Sequence, residues 1–330
     1  MAPQFTERTL MYGKGDVFVY RTYAKPLMGV KPIPESAYTG DSNVIFAWNV
    51  DVALGGEPFR TSFTEGDNGL VVATDSMKNF ILWHAAEFDG CTIESFLHQM
   101  ATRFMNRYGH IDTIELGAER LHFDAASVGG AGGVAPSDIV FRHARNEQAT
   151  ARIAIHRGQV GGEPSVTFLE GGLRGIQLIK VKGSAFAGFI RDEYTTLPET
   201  SDRPLYIHLN LTWAYLNVDD AISDDPARYV PAPQIGDVVQ SVFHEVYSPS
   251  IQYLLHQIGL RVLERFPQLA AVSFESNNRT WETIVEQAAS AGAVFTEPRP
   301  PYGFQRYTLT RSDADEHWQN HDARIRPASQ

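Results

Sequence analysis

The stretch NVIFAWNVDVAL, Asn43 to Leu54, alternates apolar and polar side chains over most of its length. A period of two marks a β-strand with one buried and one polar face. Outward from it the same pattern recurs. DVFVYRTY (Asp16 to Tyr23) alternates in part, and DTIELGAERLHF, SDIVFRHAR and TARIAIHRGQV carry the pattern on to Val160. One helix interrupts these strands. Thr92 is placed to cap it, and Ile93, Phe96, Leu97, Met100, Phe104 and Tyr108 follow at helical spacing. Gly109 stops it, and Arg103 and Arg107 lie in its last turn, as the helix dipole prefers.

The second half repeats the plan. Strands are expected in PSVTFLEGGLRGIQLIKVKGS and RPLYIHLNLTWAYLNV. A helix follows from about Ser250, with Ile251, Leu254, Leu255, Ile258, Val262 and Leu263 on one face, ending near Phe266-Pro267. Strands return in AAVSFES and FQRYTLTR, with a short helical run, TWETIVEQAASAG, between them. The expected fold is therefore α+β: two tandem units, each an antiparallel sheet with helices on one face. The expected boundaries are residues 8–150, 151–312 and a C-terminal tail, 313–330. The tail has little periodicity and is expected to be disordered or draped on a partner. SVGGAGGVAPSD (Ser127 to Asp138) reads as a flexible loop, and Asp219 to Asp237, acidic and Pro-bearing, as a surface excursion. VVATDSMKNFIL (Val71 to Leu82) places Thr74, Asp75 and Ser76 between two apolar pieces, which reads as a polar step at a strand end.

Composition excludes several classes. The chain has 330 residues and a net charge of -11, which argues against nucleic-acid or anionic-membrane surfaces. No apolar run approaches the ~18 residues of a spanning helix, and MAPQFTERTL lacks a secretory layout. The single cysteine, Cys91, permits no intrachain disulfide and suits a reducing compartment; it reads as an inert small residue. The expected compartment is the cytoplasm.

The usual chemistry motifs are missing. There is no HExxH, no cysteine pair and no tight cluster among the 11 histidines; His317 and His321 are spaced i, i+4 in the weakly patterned tail. GGAGG neither follows a strand nor opens a helix, so it is no dinucleotide fingerprint. No GxSxG elbow is present. What remains are polar knots: YGKGDVFVYR with Lys14 between glycines, ATDSMKN, the long segment Gly183 to Arg203, and YSPSIQYLLHQ, where Ser248 and Ser250 can cap a helix and Gln252 lies in its first turn. Free amides at such a helix start can bind an anion or a carbonyl.

In this order the segments YGKGDVFVYR, VVATDSMKN, FAGFIRDEYTTLPETSDR, SPSIQ and RPPYGFQRY resemble the urate oxidase (uricase) family, bacterial type. RDEYTTLPETSDR is the most specific, and the pieces span Tyr12 to Tyr307. The resemblance implies the tunnelling fold: two tandem units of the kind read above, four chains stacking into a tunnel-shaped barrel, and active sites between chains. It implies oxidation of urate by O2 and water to 5-hydroxyisourate and hydrogen peroxide, with no metal or organic cofactor. Lys14 and Thr74 match a proton-relay dyad, in which the lysine accepts the threonine's proton. Lysines in dry sites have lowered pKa values and serve as bases near neutral pH. Asp75 matches a substrate contact made through the backbone, Phe186 a ring that stacks on the purine, and Arg203 with Gln252 the pair that grips the anionic pyrimidine edge. Ile251 matches a backbone N–H donor in the same grip. Lys14 and Thr74 would come from one chain, and Phe186, Arg203 and Gln252 from its neighbour, in a homotetramer.

SFESNNRTW (Ser273 to Trp281) departs from the family pattern. The family carries an asparagine that holds O2 or water above the ring, closely followed by a histidine that completes the relay. Asn278 is the preferred match for the asparagine, with Asn277 the alternative. Arg279 or Thr280 stands where the histidine is expected, and an arginine stays protonated, so it cannot be a base. Two other readings compete: a pterin-forming hydrolase on the same fold, which would add zinc ligands or a base-anchoring glutamate, and a purine-binding protein without turnover.

Overall fold

The computed structural model describes residues 8–130, 132–144, 146–158, 162–278, 282–286, 293–296 and 301–325. The chain packs into two units that interleave in sequence: Met1–Lys31, Thr39–Gly171 and Asn217–Tyr229 form the first, and Pro32–Tyr38, Gly172–Leu216 and Val230–Gln330 the second. The division falls after Gly171, whereas the expected cut near residue 150 lies inside a strand.

In the first unit the strands are β1 (Met11–Thr22), β2 (Leu27–Met28), β3 (Gly40–Asp41), β4 (Ile45–Gly55), β5 (Thr113–Leu121), β6 (Phe123–Gly130), β7 (Gly133–His143), β8 (Gln148–Arg157) and the start of β9 (Pro164–Lys180). The order β1-β4-β5-β8-β9 makes the main sheet, and β1–β4, β4–β5 and β5–β8 pair antiparallel. Its helices are α1 (Arg60–Thr64), α2 (Thr74–Glu87), α3 (Ile93–Arg107) and α4 (Asp219–Ile222). Phe46, Trp48, Val50, Val52 and Leu54 of β4 are buried on one face. Phe96 of α3 meets Trp48 edge-on at 4.7 Å. Thr92 caps α3 by accepting from the Ser95 amide at 3.2 Å, as its sequence requires.

In the second unit the end of β9 is followed by β10 (Leu205–Tyr215), α5 (Ala232–Glu245), α6 (Ile251–Arg265), β11 (Leu269–Asn278), β12 (Glu282–Glu286), β13 (Ala293–Thr296), β14 (Gly303–Thr310) and α7 (Arg311–Ile325). The main sheet runs β9-β10-β11-β14, with β10–β11 and β11–β14 antiparallel. β10 alternates without a break: Leu205, Ile207, Leu209, Leu211, Trp213 and Tyr215 are all buried. Burying each such side chain contributes about 1.5–3 kcal/mol. α6 buries Leu254, Leu255, Ile258, Val262 and Leu263 against the sheet. Gly259 lets it approach closely, since a Cβ there would stand 3.0 Å from Leu309.

Several local expectations are corrected. Thr74 does not end a strand; it opens α2, whose buried residues Met77, Ile81 and Ala85 recur every four positions. Among its described residues the Gly-rich run is not a loose loop but pairs as β6 with β7. The acidic excursion contains α4 and the start of α5, and Asp220 is buried and paired with Arg228. Helix α7 begins just ahead of the expected tail. Glu282–Glu286, expected in a helical run, is a strand; Trp281 and residues 287–292 of that run lie outside the described residues, as do Arg279 and Thr280.

Candidate active site

The first cluster forms where β1 meets the start of α2. Tyr12 Oη accepts from the Val72 amide at 2.8 Å and donates to the Val72 carbonyl at 3.2 Å. Two residues beyond each partner stand Lys14 and Thr74. Lys14 is exposed on β1 opposite Val52, just before a bulge. Asp16 turns the bulge with φ 56°, held by its amide to Asp51 at 3.0 Å and by Asn49 to its carboxylate at 2.9 Å. Thr74 is the first residue of α2, and the Ala73 cap supplies no side-chain acceptor. The first intrahelical bond runs from Met77 to Ala73, so the amides of Thr74, Asp75 and Ser76 precede the helical ladder. The Asp75 carboxylate is engaged elsewhere, accepting from Lys78 at 2.7 Å and Asn79 at 3.0 Å. The hydrogen bond from Lys78 and its charge hold that carboxyl below its ordinary pKa, and the charge of Lys14 adds to this. What Asp75 offers at the helix start is therefore its backbone, and Lys14 stands close enough to act on its charge.

The second cluster is a scaffold of main-chain bonds in the second unit. Phe186 and Thr200 exchange bonds of 2.8 and 3.0 Å, and the Arg203 amide donates to Ser184 at 2.8 Å. The Ala185 amide donates to Ser248 at 2.8 Å, and Ser248 to Gly183 at 3.0 Å. Ser248 is fully buried and lies two residues before Ser250, the cap of α6, which accepts from Tyr253 at 3.1 Å. Lys180 fixes the approach, donating to the Phe243 and Val246 carbonyls at 2.9 and 2.5 Å. Phe186, Arg203 and the start of α6 are thus tied together through Ser184 and Ser248. The amides of Ile251 and Gln252 precede the first α6 bond, Leu254 to Ser250. Gln252 is exposed, and the Ile251 side chain is buried. Arg203 Nε is buried and has no hydrogen-bond partner among the described residues. Burial pushes the guanidinium pKa down. Phe186 stacks on Phe189 with ring centroids 4.8 Å apart.

The asparagines of β11 face opposite ways. Asn278 shares the face of Ser276, and its Oδ1 accepts from Gln305 at 3.3 Å, while Ser276 donates to the same Gln305 at 2.6 Å. Asn277 points to the other face with a buried Oδ1 that has no partner among the described residues. No cluster of three or more His, Cys, Asp and Glu among the described residues is arranged for a metal ion. No helix among them is long and apolar enough to cross a membrane. Cys91 is buried beside Asp224, and burial, then that charge, pushes its thiol up to about 12.

The family model described as Uricase matches residues 10–153 and 169–306. The chain belongs to the uricase family. It is 51% identical over 310 residues to the uric acid degradation bifunctional protein PucL of Bacillus subtilis, a match covering 94% of this chain and 62% of that protein. The chain thus spans about three-fifths of the length of that relative. It is 49% identical over 307 residues to a uricase of Haloferax volcanii, covering 92% of this chain and 99% of the relative. The crystal structure of a uricase from Bacillus fastidious superposes with a TM-score of 0.90 at 52% identity, covering 98% of this chain and 99% of the other.

The two matched stretches of the uricase family model follow the repeated sheet-and-helix plan read from the sequence. Tyr12, Lys180 and Ser184 were not singled out there, and Ser248, read as a possible helix cap, instead bridges to Gly183 and Ala185 while Ser250 is the cap. None stands in a catalytic pattern, and their bonds reach across long stretches of chain.

Proposed function

We propose that the chain is a urate oxidase that needs no metal or organic cofactor. Urate loses two electrons, O2 takes them up with two protons to become hydrogen peroxide, and water supplies the hydroxyl of 5-hydroxyisourate. The reading is supported by membership of the uricase family. The observation that carries it is the buried Arg203 Nε, without a partner among the described residues, next to Phe186 and tied through Ser184 and Ser248 to the start of α6. A buried donor with no acceptor is costly unless a ligand supplies one. A planar anion is the fitting ligand, because the guanidinium fork matches two acceptors at once.

In this reading Arg203 and Gln252 hold the anionic edge of urate, the Ile251 amide adds a donor, and Phe186 stacks on the ring. Thr74 and the Asp75 backbone touch the substrate from the other side, and Lys14 receives the proton that Thr74 relays. A threonine hydroxyl is too weak an acid to act alone, which is why the amine is needed. Of the two asparagines, Asn277 suits the oxygen side better, since Asn278 is engaged by Gln305. The two clusters come from neighbouring chains of a homotetramer. The test is urate absorbance in aerated buffer with chelator present and peroxide assayed in parallel. Urate loss with peroxide formation, insensitive to chelator, is expected. Binding of urate without turnover would leave a purine-binding protein instead.

A further inference from the structure

We propose that Tyr12 is a positioning residue for the Lys14–Thr74 pair, its hydroxyl setting where the first turn of α2 stands against β1. The inference rests on the relay reading above. Tyr12 and Lys14 are two apart on a strand, so they share one face of β1. Val72 and Thr74 are likewise two apart at the entry to α2. One phenol oxygen engages both backbone groups of Val72, at 2.8 and 3.2 Å. A single side chain therefore joins the two segments just short of the residues that must exchange a proton.

The surroundings fix the phenol. Phe59 meets its ring edge-on with centroids 5.0 Å apart. Phe59 in turn packs edge-on to His110, whose Nε2 donates to the Leu70 carbonyl at 2.9 Å. The segment before α2 is thus pinned at Leu70 and at Val72. β1 is pinned too: at Gly13 a Cβ would stand 2.0 Å from the Val52 carbonyl oxygen, so the strand lies pressed against β4 at this point. Desolvation raises the Tyr12 pKa, so the hydroxyl stays protonated and remains able to donate. α2 itself lacks a side-chain cap, so no cap side chain sets its entry angle. Tyr12 supplies that constraint from the neighbouring strand.

The test is Tyr12→Phe, which keeps the ring against Phe59 and removes only the hydroxyl. Displacing a catalytic group by about 1 Å costs on the order of a hundredfold in rate. The expected result is a kcat lower by roughly tenfold to a hundredfold, with KM for urate within about twofold. Faster hydrogen exchange at the Val72 amide should accompany it. A merely structural role would lower Tm and leave kcat per folded enzyme and the kcat–pH profile unchanged; that outcome overturns the proposal. So does a lower kcat with Val72 exchange unaltered. Thr74→Ala is measured alongside: wild-type kcat there refutes the relay reading itself, whereas an impaired Thr74→Ala with a wild-type Tyr12→Phe refutes the positioning role alone.

Discussion

The guanidinium carbon of Arg203 lies 5.7 Å from the centroid of the Phe186 ring. A flat apolar ring and a planar cation are thus brought together, the cation over the ring, held by the bonds of Ser184 to Arg203 and of Phe186 to Thr200. Hydrogen bonds to charged groups contribute about 1.5–3 kcal/mol, so Arg203→Gln should raise KM for urate roughly tenfold to a hundredfold. Arg203→Lys should not restore it, since an ammonium lacks the fork. Steady-state kinetics and titration with a urate analogue check this; unchanged affinity in both variants would remove Arg203 from the grip.

Thr74→Ala should lower kcat by about 10²–10⁴, the usual worth of a proton-transfer group, while analogue affinity moves far less. The hydroxyl sits at the open start of α2, where no helical bond requires it. Turnover at the wild-type rate would dissolve the dyad.

The asparagines separate by readout. Asn278 is bonded by Gln305 and packs against Gly303, where a Cβ would stand 2.8 Å from its Oδ1. Asn278→Ala should therefore lower Tm. Asn277→Ala leaves a site whose amide oxygen is unpartnered among the described residues, and should lower kcat with little change in Tm. The reverse pattern in kinetics and thermal melts would return the oxygen-side role to Asn278.

Glu94 gives a pH dependence of stability. It is buried on α3, and desolvation raises its pKa to about 7, despite the hydrogen bond from Tyr229 and the charge of Arg120, while Asp224 adds to the rise. In the unfolded chain it titrates near 4.5. The unfolded state therefore releases the proton first. The stability that depends on the neutral carboxyl is fully present below pH 4.5 and is lost as the pH climbs to about 7. Glu94→Gln should flatten the fall in Tm across that window. An identical Tm–pH slope in the variant would show that Glu94 ionises as freely in the fold as outside it.

The parts of the fold that can be read from sequence are those whose signals coincide. α3 and α6 each have a broad apolar stripe, a capping hydroxyl and an arginine in the last turn, and their observed ends agree with these marks. α2 was illegible because only Met77, Ile81 and Ala85 are buried, while Leu82, the end of the second apolar piece in that stretch, is exposed. In α7 Ala314 is buried but neighbours on both sides are exposed, so periodicity had little to register. At the site, the polar knots were visible as departures from alternation, yet their roles entered through resemblance. Tyr12 stayed hidden because its meaning lies in a bond to Val72, 60 residues away. The faces of Asn277 and Asn278 required the β11–β14 register, which brings Gln305 opposite Ser276.

The central claim is that the Lys14–Thr74 and Phe186–Arg203 clusters complete one another across chains. Thr74→Ala chains, low in kcat, and Arg203→Gln chains, raised in KM, can be co-refolded and assayed for urate oxidation at urate well below that raised KM, where each alone turns over little. With random mixing in a symmetric oligomer, about a quarter of the shared sites should regain both intact halves, and activity should return towards that fraction of wild type. A mixture no more active than its parts would contradict the account.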